Sequence, residues 1–343
     1  MAANRAAWLT EPKATFLKID SAEMPTPGPD EVVIANKAIA INPIEWKMVD
    51  YGMFIPKYPH ILGSDLSGTV HEVGTDVSTL RKGDRITGHS TGLVSGIPEE
   101  GTYQLYTRCH ATTIAKIPDS MSFIDAVVLP ISISTASLGL YQKGGLELPL
   151  PSFNPAKTGK VILIWGGATS IGSSTTQLAT ASGVTVITTA SPRNFAYCRD
   201  LGASTVIDYN AADAVQQVLT AIKSTDAEFA GIFDAVAGPP SFKAVFEIAQ
   251  QAAGRKRISF VLPPPDDRPD DVEIFNINSP NAATTESNIG KPVWQDYVPQ
   301  ALEKGVLRCL PEPLIVGKGL ESLYKGMQTS KQGVSAKKVV VEL

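Results

Sequence analysis

The sequence predicts an α/β fold in two parts, an antiparallel, barrel-like domain interrupted by a doubly wound parallel sheet. Three observations carry that expectation. At 343 residues the chain is long enough for about two domains. Its first third reads as short β segments with turn punctuation. From about residue 122 onward, apolar β-branched runs alternate with helical stretches, the signature of a parallel sheet covered on both faces.

In the first part, Glu31–Ala35, Asp65–Val73 and Asp84–Gly88 read as strands. Clusters such as Pro25-Thr-Pro-Gly-Pro29 and Lys82-Gly-Asp84 separate them. The second part begins with a helical run, Ala126–Tyr141. It continues with strand Val161–Trp165, helix Ile171–Ser182, strand Val184–Thr189, helix Phe195–Leu201 and strand Thr205–Ile207. Helix Ala212–Ile222 and strand Gly231–Asp234 follow, and a last sheet strand ends before Val261. The loop Pro263-Pro-Pro-Asp-Asp-Arg-Pro269 can continue neither a helix nor a central strand. Trp294–Lys304 reads as helix and Lys338–Leu343 as a closing strand of the first part. The expected domains are therefore 1–127 with 278–343, and 128–277, with Asp266–Lys291 left unassigned.

Composition narrows the function. Apolar residues make up 43% and charged residues 19%, which suits a packed core. Against 34 acidic residues stand 30 basic ones, a net charge of −4 that offers no positive field for nucleic acid or an anionic membrane. Cys109, Cys198 and Cys309 are too scattered for a disulfide framework or a structural zinc cluster. The apolar stretch Ala126–Leu140 is shorter than the roughly 20 residues a bilayer span needs. With no signal-peptide pattern near Trp8–Lys13, a cytoplasmic location is expected.

Strand Val161–Trp165 runs into Gly166-Gly-Ala-Thr-Ser-Ile-Gly172 and then a helix. Glycines there allow a tight turn and close approach of a pyrophosphate, and the helix N-terminus offers free N–H groups. On the pattern GxGxxG, Gly167 and Gly172 fit while Thr169 holds the middle place. The expected cofactor contacts in this turn are Gly167, Ala168, Thr169, Ser170, Ile171 and Gly172. Nineteen residues beyond Gly172 stands Ser191 rather than the acid that binds a ribose in NAD enzymes. Arg193 is available nearby for a 2′-phosphate, which points to NADPH. Asn194 belongs to the same loop, and Tyr209 is placed to stack on adenine.

These motifs resemble the medium-chain dehydrogenase/reductase superfamily over nearly the whole chain. Ile41-Asn-Pro-Ile-Glu-Trp-Lys47, Pro59-His-Ile-Leu-Gly-Ser-Asp65, Gly68-Thr-Val-His-Glu-Val-Gly74, Lys82-Gly-Asp-Arg85, Gly101-Thr-Tyr103 and Ala115-Lys-Ile-Pro118 carry the likeness. The nearest look is to its zinc-free branches, quinone oxidoreductases and the stand-alone enoyl reductases of fungal polyketide pathways. That resemblance implies a GroES-like β-barrel catalytic domain with a Rossmann dinucleotide-binding domain. In zinc members a Cys would stand at Asn42, and a His-Glu pair at Ser64 and Asp65. The four-cysteine lobe would fall near Thr91–Gly101, which has no cysteine. No metal is therefore expected, and His60, His71, His89 and His110 have no partner at metal spacing.

The same resemblance places Lys47 and Thr135 near nicotinamide and substrate, Lys47 as an enolate donor or proton relay. Tyr51 ranks as a further acid, and Thr135 also reads as the cap of a helix. Asn42, Pro43, Trp46 and Lys47 are the implied cofactor contacts of the first part. Val261, Leu262 and Lys337 are implied to close over the nicotinamide. The expected activity is NADPH-dependent reduction of a carbon–carbon double bond conjugated to a carbonyl or thioester, as in fungal secondary metabolism. The substrate would be a small enone or enoyl thioester, free or carrier-bound, acted on by a monomer or homodimer. The alternatives are a quinone or small-carbonyl oxidoreductase, or a catalytically silent or non-redox NADPH-binding protein.

Overall fold

The computed structural model describes residues 3–343. They form two compact units, one running to Ile131 and resuming over Pro280–Leu343, the other Ser132–Ser279. The expected breaks lie a few residues earlier, after 127 and before 278.

The first unit is the GroES-like barrel. Its seven-stranded sheet is built around Glu31–Ala40, with Asp65–Val73 along one edge. The other edge is shared: Tyr106–His110 pairs with its first half and Lys337–Glu342 with its second. Where one partner gives way to the other, the buried Asn36 amide donates to Gln104 O at 2.8 Å and Thr107 Oγ1 at 2.8 Å, satisfying the gap. Irregularities at Val33/Ile34 and Asn36/Ala38 bend the strand, as curvature into a barrel requires. Arg85–His89 and Ile114–Lys116 continue the sheet past Asp65–Val73, and Glu312–Lys318 lies parallel beyond Lys337–Glu342. A smaller sheet joins Asn4–Leu9, Lys18–Ala22 and His60–Ile61. Its apolar side packs with helices Pro43–Tyr51 and Leu323–Gln332.

The second unit is a six-stranded, wholly parallel sheet of the Rossmann kind. Its strand order is Thr205–Asp208, Thr185–Ala190, Lys160–Trp165, Glu228–Asp234, Arg257–Phe260, Glu273–Asn276. Strand order reverses between Lys160–Trp165 and Glu228–Asp234, the switch point at which such sheets open a crevice. Val161–Trp165 is buried throughout, which explains its unbroken apolar run.

Four sequence expectations need correction. The sheet does not end before Val261: Glu273–Asn276 adds an edge strand inside the segment left unassigned. It is four residues long with exposed ends, so it lacks the apolar run that marks an inner strand. The helical run Ala126–Tyr141 is two helices, Phe123–Ala126 and Pro130–Tyr141, because Pro130 restarts the helix as its first residue. Thr135 is therefore inside a helix and does not cap it. Phe123–Tyr141 is, by length and apolarity, sufficient to cross a bilayer, and 83% of it is buried inside the protein.

Candidate functional site

In the Rossmann unit the glycine turn is built from backbone. Gly166 takes a left-handed φ of 89° at the end of its strand. Its N–H donates to Thr189 Oγ1 at 3.0 Å, and the Gly167 N–H donates to Thr189 O at 2.9 Å. A Cβ on Gly167 would lie 2.2 Å from Thr188 Oγ1, and one on Gly172 would lie 2.2 Å from Gly166 O. Both glycines are thus required by close approach. Thr169, where the motif would have its middle glycine, caps helix Ser170–Ala181. Its Oγ1 accepts from the Gly172 N–H and donates to Gly166 O, both at 2.9 Å. The departure from GxGxxG is a cap, and the helix N-terminus is kept.

The expected contacts of this unit gather at the carboxyl ends of the parallel strands. Ser191 and Asn194 are half-buried in the turn after Thr185–Ala190, joined by Asn194 Nδ2 donating to Ser191 Oγ at 3.2 Å. Arg193 in that turn is exposed and makes no salt bridge among the described residues. The nearest carboxylate in strand register is Asp208, opposite Ala190, which accepts from Asn210 N at 2.9 Å. Tyr209 beside it is 46% exposed, free to present a ring face. Val261 and Leu262 are half-buried and pack against the unit's core.

Sequence reasoning missed Asp234 at the end of its strand. Its buried carboxylate accepts from Val236 N, Ala237 N and Ser241 Oγ at 2.9, 3.0 and 2.7 Å. Burial pushes its pKa up against those hydrogen bonds. It thereby shapes the Val236 loop, which packs on Gly166. An acid ending an apolar strand ahead of Gly238-Pro-Pro240 was the available signal.

In the barrel unit, Asn42 is the N-cap of helix Pro43–Tyr51, with Pro43 first and Glu45 completing a capping box. Trp46 and Lys47 are half-buried, and the Lys47 Nζ lies 5.6 Å from the Trp46 ring centroid. Desolvation lowers the Lys47 pKa. Tyr51, one turn on from Lys47, is 69% exposed, its ring centroid 6.4 Å from that of Trp46. Thr135 is buried in its helix.

Lys337, expected to close over the nicotinamide, lies on the C-terminal strand next to Lys338. Side chains alternate along a strand; Lys337 points outward to Glu312 at 2.5 Å, and Lys338 points inward, 4% exposed. Lys338 Nζ pairs with Asp65 Oδ2 at 2.9 Å and donates to Asn42 Oδ1. Asn42 Nδ2 donates to Asp65 Oδ2 at 3.0 Å and to Glu45 Oε1 at 3.2 Å, and the Ile131 N–H donates to Asp65 Oδ1 at 2.7 Å. Burial, then the charge of Asp65, pushes the Glu45 pKa up to about 8. His89, register partner of Asp65, is neutral because burial lowers its pKa to about 4.

The positions matching the metal ligands of zinc members thus hold an amide, a hydroxyl and a carboxylate. The lone pairs of the amide and carboxylate face N–H donors, including an ammonium. That donor set does not fit zinc, which favours thiolate and imidazole. Among the described residues no group of three or more His, Cys, Asp or Glu could hold a metal ion.

Comparison with known proteins bears on this arrangement. Residues 28–119 match the family model of the alcohol dehydrogenase GroES-like domain, and residues 170–303 that of the zinc-binding dehydrogenases. The chain is 43% identical to dehydrogenase orsE of Emericella nidulans, over 100% of both chains. It is 36% identical to trans-enoyl reductase himH of Aspergillus japonicus, over 99% of this chain and 97% of that one. Among solved structures, the quinone oxidoreductase of Coxiella burnetii superposes with a TM-score of 0.73 at 25% identity, covering 100% of both chains.

Proposed function

The chain belongs to the medium-chain dehydrogenase/reductase superfamily and is an oxidoreductase, and on that premise we propose that it reduces a carbon–carbon double bond conjugated to a carbonyl or thioester, with NADPH and without a metal. The observation that carries this reading is the Asn42–Asp65–Lys338 cluster, whose donors leave no place for a Lewis acid. Oxidation of an alcohol needs its alkoxide stabilised, and zinc is the usual means. Conjugate reduction needs less, since the developing negative charge spreads to a carbonyl oxygen that hydrogen-bond donors can stabilise.

Bound NADPH would supply the hydride that the β-carbon needs, and the α-carbon would take a proton. The chain's residues hold and orient. The turn from Gly166 to Gly172 and its helix N-terminus hold the pyrophosphate, and Arg193 holds the 2′-phosphate. Lys47 donates a hydrogen bond to the carbonyl oxygen as charge develops there; its lowered pKa also makes it a proton donor. Thr135 orients the nicotinamide end, and Tyr51, open to solvent, is a secondary acid. The substrate class is an enone or enoyl thioester, free or carrier-bound, of the kind reduced in fungal secondary metabolism.

An acceptor panel tests the reading: NADPH oxidation against enoyl thioesters, enones and quinones. Turnover of the enoyl thioesters or enones is expected. Turnover of quinones alone would redirect the protein to quinone reduction, and NADPH binding without any turnover would sink both reductase readings.

A further inference from the structure

We infer that Lys338 is a positioning residue for the reduction, a buried cation that stands in for a metal by clamping Asn42 and Asp65 and so fixing the helix that presents Lys47. The inference rests on the proposed function for the role of Lys47, and on the geometry of the clamp for everything else. Strand Lys337–Glu342 gives no packing reason for an inward lysine, since Val339, Val340 and Val341 are all buried apolar residues. An apolar side chain at 338 would avoid removing an ammonium from water.

What the ammonium does is local and specific. By donating to Asn42 Oδ1 it sets which way the Asn42 amide faces, so that Nδ2 is left to donate to Asp65 and Glu45. Asn42 is the first residue of the turn that starts helix Pro43–Tyr51, and Lys47 lies little more than a turn further on. Lys331, paired with Asp50 at 2.6 Å and 5.8 Å from the Trp46 ring centroid, holds the far end. Asp65 adds a second anchor, since its other oxygen accepts from Ile131 in the first turn of the helix that carries Thr135. One ion pair thus ties the C-terminal strand to the starts of both helices. The high pKa of Glu45 is consistent with this count, because it leaves one cation facing one anion at neutral pH.

Lys338→Met, alone and combined with Asp65→Asn, tests this. Three readouts are taken: turnover of the best acceptor, thermal melting, and amide exchange over residues 43–51. The single variant is expected to lose about 10²-fold in kcat, the scale of a small misplacement at a reacting centre. Its affinity for NADPH should be nearly kept, and its helix amides should exchange faster. The double variant removes both charges, so its melting temperature should recover while kcat stays low. Recovery of kcat together with melting temperature would overturn the inference, reducing the pair to charge balance. Unchanged exchange over 43–51 in Lys338→Met would overturn it as well. If the unmodified protein turns over no acceptor, the reductase reading fails by itself, and the exchange measurement still decides the clamp.

Discussion

The glycine turn and the Asp65 cluster meet opposite requirements. At the turn, helix Ser170–Ala181 starts directly after the glycines, and beyond the Gly172 N–H taken by Thr169 its N-terminus presents the positive end of a helix dipole. In the barrel unit, side chains of Asn42, Asp65 and Lys338 satisfy one another and are closed from solvent. The first arrangement offers a helix N-terminus, which favours an anion; the second already contains its cation. Substitutions should therefore fail differently in the two regions, the turn losing ligand and the cluster losing stability or geometry.

The largest expected effect is at the turn. Gly172→Val would set a side chain against Gly166 O, where even a Cβ lies at 2.2 Å, and should abolish NADPH binding. Titration of cofactor fluorescence checks it, and a retained affinity would mean that the turn does not hold the pyrophosphate. In the cluster, Asp65→Ala leaves Lys338 buried without its counter-ion, and urea unfolding should show a loss of about 3–5 kcal/mol. A loss under 1 kcal/mol, typical of exposed pairs, would place the ammonium in water instead.

A smaller effect follows from Glu45. Its folded pKa of about 8 lies above the usual carboxylate value, so its contribution to stability is full below the unfolded pKa and is lost as pH rises through 8. Melting temperature should fall more between pH 6.5 and pH 8.5 in the wild type than in Glu45→Gln; parallel profiles would mean Glu45 is ionised in the fold. The smallest effect is expected at Arg193, which is exposed. Arg193→Ala should weaken NADPH by about 1.5 kcal/mol, roughly tenfold, and leave NADH nearly unchanged. Equal losses for both cofactors would remove the 2′-phosphate assignment.

The two regions also differ in how far they could be read from sequence. The turn is local: strand, glycines, cap and helix all lie between Lys160 and Ala181, so their spacing is visible in one window. The cluster joins Asn42 to Lys338, 296 residues apart, and no window contains both. The family motifs exposed its acidic half, since Asn42 and Asp65 stand where metal ligands would. Its basic half, Lys338, went unread, because the inward face of the last strand is fixed by register and not by composition. The edge strand Glu273–Asn276 escaped for a related reason: a half-exposed, four-residue strand carries little periodicity. Helix Pro43–Tyr51, by contrast, announced itself through Asn42, Pro43 and Glu45, yet its helical character went unread amid the family motif.

Metal-free reduction is open to one direct measurement. Zinc content and enone reduction by NADPH are measured on the same purified protein before and after treatment with a strong chelator. Far less than one zinc per chain is expected, with activity unchanged by the chelator. Near-stoichiometric zinc whose removal and restoration abolish and restore turnover would contradict it.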